Sequence, residues 1–116
     1  MTILRILVVE DDVLIGALLA EMLIAMGHAV CAVATTEAGA VAAAAEHRPG
    51  LVIADARLGA GSGLRAVAEI TRAGPVPHVF MSGDLSKIRA SHPDATMLRK
   101  PFGEPELRRA IQRALA

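Results

Sequence analysis

The sequence predicts a doubly wound α/β fold, with five parallel strands in one sheet and helices on both of its faces. Short, unbroken apolar runs alternate with longer segments of helical character, the pattern of a parallel sheet covered on both sides. The clearest runs lack polar alternation, so they are expected to be buried on both faces. Charged and hydroxyl side chains gather just after the runs, where a parallel sheet places all its C-terminal strand ends along one edge.

The first three strands are read from residues 6–9 (Ile-Leu-Val-Val), 29–33 (Ala-Val-Cys-Ala-Val) and 51–54 (Leu-Val-Ile-Ala). Two weaker runs follow, 76–81, interrupted by Pro77 and His78, and 95–98. Residues 13–26 carry Ile15, Leu19, Met22 and Met26 at helical spacing, with Asp12 placed to cap the start and Gly27 to stop the end. Residues 36–47 form an Ala-rich second helix with Glu37 in its first turn, ended by Pro49-Gly50. The third helix is read at 63–73 and the last at 104–115, where Pro105 near the start sacrifices no needed N–H. Residues 84–94 contain Pro93 and little periodicity, so a short or irregular fourth helix is expected there. A common strand order for such a unit is 2-1-3-4-5, whose topological switch lies between the first and third strands.

At 116 residues, 53% of them hydrophobic, the chain is long enough for one domain with a real core, and residues 1–116 are read as a single unit. Lys plus Arg equals Asp plus Glu at 12 each, so no net field draws it to nucleic acid or an anionic membrane. Cys31 stands alone, which excludes an internal disulfide and fits a reducing compartment. The longest apolar stretch, 13–27, is broken by Glu21 and falls short of the ~20 residues of a membrane span. The first residues lack the basic-then-apolar pattern of a signal peptide, so a cytoplasmic location is expected.

Functional residues collect at the strand ends. The first strand runs into Glu10-Asp11-Asp12, the third ends at Asp55, the fourth at Ser82-Gly83 and the fifth at Lys100-Pro101-Phe102. With the first and third strands adjacent, Glu10, Asp11 and Asp55 converge on one pocket flanked by Ser82 and Lys100. Crowded carboxylates repel one another, and a hard dication that prefers oxygen ligands, magnesium above all, relieves that repulsion. One carboxylate is then free to attack phosphorus and form an aspartyl phosphate. A metal, an ammonium group and a hydroxyl stabilise the charge that builds on the phosphoryl oxygens. Each piece also has an ordinary reading: Glu10-Asp11 as a solvated turn, Asp55 and Ser82-Gly83 as turn residues, and Lys100 as an exposed cation before a loop. The ordinary reading handles their joint placement poorly. The loop Gly59-Ala60-Gly61-Ser62-Gly63 is not G-x-G-x-x-G, follows the third strand rather than the first, and is read as a flexible turn rather than a nucleotide site.

These segments resemble the receiver domains of response regulators, over essentially the whole chain. The run from Ile6 to Asp12 looks like the family's first strand and acidic pair, and Leu51 to Asp55 with Leu58 and Gly63 like its phosphoacceptor strand. Phe80-Met81-Ser82-Gly83 matches its hydroxyl position and Lys100-Pro101-Phe102 its Lys-Pro motif. The resemblance implies a flavodoxin-like receiver fold with Asp55 as phosphoacceptor. It implies magnesium held by Asp11, Asp55 and the Arg57 backbone carbonyl directly and by Glu10 through water. Ser82 and Lys100 would contact the phosphoryl oxygens, with Gly83 beside them and a cis peptide before Pro101. The implied donor is a phosphohistidine on a sensor histidine kinase or histidine phosphotransfer protein, docking against the first helix and the loop after the fifth strand, with Leu14 and Leu18 as candidate contacts. Output would pass to an unknown downstream protein.

Three departures bear on output. Met97 occupies the family's aromatic switch position, the segment between Ser82 and Lys100 is several residues short, and Gly59 stands where the family often has Pro. Arg57 also places a long cation beside the acceptor. Two other functions compete with a phosphorylatable receiver. A phosphorylation-independent protein-binding module is favoured by Met97 and the short fourth helix. A phosphatase working through an aspartyl phosphate is disfavoured, because the first strand ends in Glu10-Asp11 rather than Asp-x-Asp. The expected chain is therefore no enzyme beyond its own phosphorylation and dephosphorylation. No helix-turn-helix pair follows the unit, so no direct nucleic-acid or membrane binding is expected.

Overall fold

The computed structural model describes residues 3–116. The strands and helices follow in the order β1 (Arg5–Val9), α1 (Val13–Ala25), β2 (Ala29–Ala34), α2 (Glu37–His47), β3 (Leu51–Asp55), β4 (Arg57–Leu58), β5 (Gly61–Ser62), α3 (Gly63–Arg72), β6 (His78–Ser82), α4 (Ser86–Ser91), β7 (Met97–Arg99) and α5 (Glu104–Leu115). The main sheet is parallel, in the order β2-β1-β3-β6-β7, which is the expected 2-1-3-4-5 once the small β4–β5 hairpin is set aside.

Alternation along the central strands builds two cores. Ile6 and Val8 of β1 join Ile53, Val79 and Met81 beneath α1 and α5, with Leu19, Leu23, Leu107 and Ile111 closing that layer. Leu7 and Val9 point the other way and meet Val52, Ala54 and Phe80 under α2, α3 and α4, with Ala40, Val67, Ile70 and Ile88. Every residue of β3 is buried, as its unbroken apolar run requires. At ~25 cal/mol per Å² of apolar surface, each fully buried Leu or Ile stabilises the fold by about 1.5–3 kcal/mol before chain entropy is counted.

The structure corrects the sequence reading in several places. β2 is only partly buried, with Val33 41% exposed, because it is an edge strand with a neighbour on one side only. The core face of α1 is Gly16, Leu19, Leu23 and Met26, and Ile15 lies outside it, 40% exposed. α1 is apolar nearly all round, so periodicity alone did not fix which face turns inward. The fourth strand of the sheet starts at His78 rather than residue 76. Pro77 has no N–H to give, although its carbonyl still accepts from the Val52 amide at 3.0 Å. The fifth is β7, three residues long. Residues 59–63, expected as a flexible turn, contribute to an antiparallel hairpin with Arg57 opposite Ser62 and Leu58 opposite Gly61. Gly59 at its tip has φ +54, a conformation that suits glycine.

The helix ends follow the capping signals. Asp12 Oδ1 accepts the Leu14 and Ile15 amides at 3.0 and 3.1 Å, and Gly27 at φ +96 ends α1 after the cap at Met26. α4 is a single short helix of six residues, as expected for 84–94. No helix among the described residues is long and apolar enough to cross a membrane.

Candidate functional site

The C-terminal ends of β1, β3, β6 and β7 share one edge, and five predicted residues meet there. Glu10 follows β1 in register with the end of β3, and its amide bonds the Ala34 carbonyl at 2.9 Å. Its side chain turns under α1, close to Gly16, and is 1% exposed. Asp55, 9% exposed, closes β3. Lys100 lies just past β7 and reaches between the two carboxylates, with Nζ 2.7 Å from Glu10 Oε1 and 2.5 Å from Asp55 Oδ2. The remaining oxygens are held locally: Glu10 Oε2 accepts the Asp12 amide at 3.2 Å, and Asp55 Oδ1 accepts the Arg57 amide at 3.1 Å.

Asp11 is exposed at the mouth. One oxygen each from Glu10, Asp11 and Asp55 lies within 4.8 Å of the others. An open cleft of about 570 Å³ in front of them is lined by Asp11, Asp55, Arg57, Ser82, Gly83 and Lys100, together with Lys87 from α4. Sequence reading missed Lys87, because a lone Lys on a short helix carries no pattern.

The electrostatics follow from this crowding. Burial pushes the Glu10 carboxyl above its ordinary range, with the Lys100 and Asp12 hydrogen bonds pulling back and the Asp11 and Asp55 carboxylates adding to the rise. Burial also works against the Lys100 charge, but its bonds to Asp55 and Glu10 prevail and hold its pKa above the usual lysine value. Two buried or half-buried acids and an exposed third beside an open, water-accessible cleft make a donor set suited to a small oxygen-preferring dication. The residues present therefore fit magnesium.

The backbone at the site is tight. An ideal Cβ on Gly63 would lie 1.8 Å from the Asp55 carbonyl oxygen, so α3 begins against the acceptor strand only because that residue is glycine. The Ser82 hydroxyl lines the cleft but is engaged locally, donating to the Asp84 carbonyl at 3.0 Å and accepting the Asp84 amide at 3.1 Å. Beside Gly83 there is open space. The Lys100–Pro101 peptide is cis. Met97 pairs in register with Phe80, whose buried ring lies 5.3 Å from His78 and 6.1 Å from His92, measured between ring centroids.

Residues 6–112 match the response regulator receiver domain. The chain belongs to that family. It is 36% identical over 115 residues to the phyllosphere-induced regulator PhyR of Methylorubrum extorquens, covering 96% of this chain and 43% of that protein. It is 34% identical over 116 residues to the transcriptional regulatory protein PdtaR of Mycobacterium tuberculosis, covering 97% of this chain and 57% of PdtaR. The chain thus spans about half the length of these relatives. The solution structure of the PhyR receiver domain of Erythrobacter litoralis matches with a TM-score of 0.89 at 33% identity, over 99% of this chain and 92% of that one. The anti-anti-sigma factor PhyR of Bartonella quintana matches at TM-score 0.91 and 27% identity, over 99% of this chain and 48% of that one. Receiver domains are signalling modules of two-component systems, and the strand-end cluster described above lies within the matched residues.

Proposed function

We propose that this receiver accepts a phosphoryl group onto Asp55 from a phosphohistidine and passes the signal on through protein contacts. The observation that carries this reading is Lys100 Nζ bridging Glu10 and Asp55 while one oxygen each of Glu10, Asp11 and Asp55 lies within 4.8 Å of the others. Residues 1–116 act as one phosphoacceptor unit in the cytoplasm, without turning over a separate substrate.

An Asp55 oxygen attacks phosphorus, the P–N bond to the donor histidine breaks, and the imidazole leaves with its electron pair. Asp11, Asp55 and the Arg57 carbonyl would hold Mg2+ directly and Glu10 through water, and the ion would supply positive charge to offset the carboxylates and the phosphoryl oxygens. Lys100, already at Asp55, swings from the carboxylate to a phosphoryl oxygen and keeps its positive charge throughout. Ser82 rotates out of its turn with Asp84 to donate to a second oxygen, a local exchange of one hydrogen bond for another. The donor, a sensor histidine kinase or histidine phosphotransfer protein, docks over α1, where Val13, Leu14 and Leu18 are 73%, 68% and 53% exposed.

Intact mass after incubation with Mg2+ and acetyl phosphate tests the chemistry. One phosphoryl adduct is expected, absent in Asp55→Asn and absent without Mg2+; an adduct that survives in Asp55→Asn contradicts the assignment.

A phosphorylation-independent binding module is the second reading. It is favoured by Met97, which leaves β7 without an aromatic ring to move behind Ser82. Equal partner affinity for phosphorylated and unphosphorylated protein would support it over the first reading.

A further inference from the structure

We propose that Glu37, at the start of α2 and outside the cleft, is a positioning residue for the cation site: it clamps the β4–β5 hairpin and thereby fixes the Arg57 backbone carbonyl. The inference rests on the reading of the cleft as a magnesium site.

The hairpin needs an external anchor. It has two residues in each strand, and so small an antiparallel unit is marginal by itself. Yet it carries Arg57 and Gly59, both in the cleft wall, and an ideal Cβ on Gly59 would lie 3.6 Å from Asp11 Oδ2. At its base the hairpin is closed by the Gly63 amide, which donates at 3.0 Å to the carbonyl of Ala56, the residue between β3 and β4.

On the far side the anchor is Glu37. Its two oxygens accept a fork of hydrogen bonds from Arg65, Nε at 2.9 Å and Nη2 at 3.1 Å. The Gly61 backbone lies against the same carboxylate so closely that a Cβ there would fall 2.7 Å from Oε2 and 3.1 Å from Cγ. Ser62, beside Gly61, caps α3 by accepting the Leu64 and Arg65 amides at 3.1 and 3.3 Å. Glu37, Arg65, Ser62 and Gly61 therefore close a ring of contacts, of which β5 forms one side. The Arg65 guanidinium keeps the Glu37 carboxyl below its usual range, so the clamp is charged at neutral pH.

This arrangement acts on the metal more than on the fold. Arg65 is 68% exposed and Glu37 32%, and exposed ion pairs contribute little to stability. Mg2+, by contrast, demands near-octahedral geometry at about 2.0–2.1 Å, so a small drift of the hairpin spoils a carbonyl ligand. Residues that orient metal ligands typically change affinity by about 10–100-fold.

The test is Mg2+ affinity by calorimetry for the wild type, Glu37→Ala and, from the other side of the clamp, Arg65→Gln, with Asp11→Asn as the ligand control. Both clamp variants are expected to bind Mg2+ about tenfold more weakly, with faster hydrogen exchange at the Gly61 and Ser62 amides. Their rate of phosphorylation at saturating Mg2+ is expected to stay within about twofold of wild type. Conservative Glu37→Gln, which keeps the shape against Gly61, recovers part of the loss. Unchanged affinity in Glu37→Ala and Arg65→Gln, with Asp11→Asn impaired, overturns the clamp alone. Absence of Mg2+ binding by the folded wild type overturns the clamp together with the cleft reading.

Discussion

Gly63→Ala is the most demanding perturbation of the site, because the structure leaves a methyl group nowhere to go. Its Cβ would sit 1.8 Å from the Asp55 carbonyl oxygen and 2.8 Å from the carbonyl carbon, and both atoms are backbone of the buried central strand. Relief requires moving the start of α3, which is tied to the Ala56 carbonyl by the Gly63 amide and packed through Ala66 and Val67. Overpacking of a core typically costs about 1–3 kcal/mol, and a backbone clash this short belongs at or above the top of that range. With an unfolding entropy of ~2.1 cal/mol/K per residue, 3 kcal/mol lowers the Tm of a chain this size by about 12 °C. Far-UV circular dichroism is the suitable probe, since the chain has no Trp or Tyr. Gly83→Ala is the matched control: nothing lies within 4 Å of its Cβ, so its Tm is expected within about 2 °C of wild type. A Gly63→Ala protein as stable as the Gly83→Ala control would refute the reasoning.

Three further outcomes follow from the charged cluster. Lys100→Met leaves Glu10 and Asp55 without their shared cation, and its metal-free stability near pH 7.5 is expected to fall by about 2–4 kcal/mol in urea unfolding. Mg2+ should recover more of that stability in Lys100→Met than it adds to the wild type. Glu10, whose pKa is raised in the folded state, contributes stability that is full below its unfolded value of about 4.3 and is lost as pH rises through its folded value. Stability of metal-free Glu10→Gln relative to wild type is therefore expected to climb with pH between the unfolded and folded values; a flat difference would contradict the raised pKa. Ser82→Ala removes a hydroxyl bonded only to its own turn, so unfolding stability is expected to change by under about 1 kcal/mol while phosphorylation slows about tenfold.

The parts of the molecule readable from the sequence are those with a one-dimensional signature. β1 and β3 are central strands buried on both faces, and their unbroken apolar runs gave their positions to within a residue. Glu10, Asp11, Asp55, Ser82 and Lys100 lie at or just past strand ends, so a parallel topology alone brings them to one edge. What escaped depends on contacts between distant segments. The partial exposure of β2 and the inward face of α1 are set by neighbours, not by local pattern. The β4–β5 hairpin reads as a loop because its glycines and the Gly63 that follows answer to Asp11, Glu37 and Asp55, from three separate stretches of chain. The Glu37–Arg65 pair spans 28 residues, and no spacing rule connects them.

The most direct test of the central claim is to find where the phosphoryl group sits. Borohydride reduction converts an aspartyl phosphate to homoserine, which peptide mass spectrometry locates in the sequence. After incubation with phosphodonor and Mg2+, homoserine is expected at position 55 and at no other acid, and it should vanish when the metal is chelated. Homoserine at Asp11, the corresponding reduced alcohol of glutamate (5-hydroxynorvaline) at Glu10, or homoserine at position 55 regardless of Mg2+, would contradict the account.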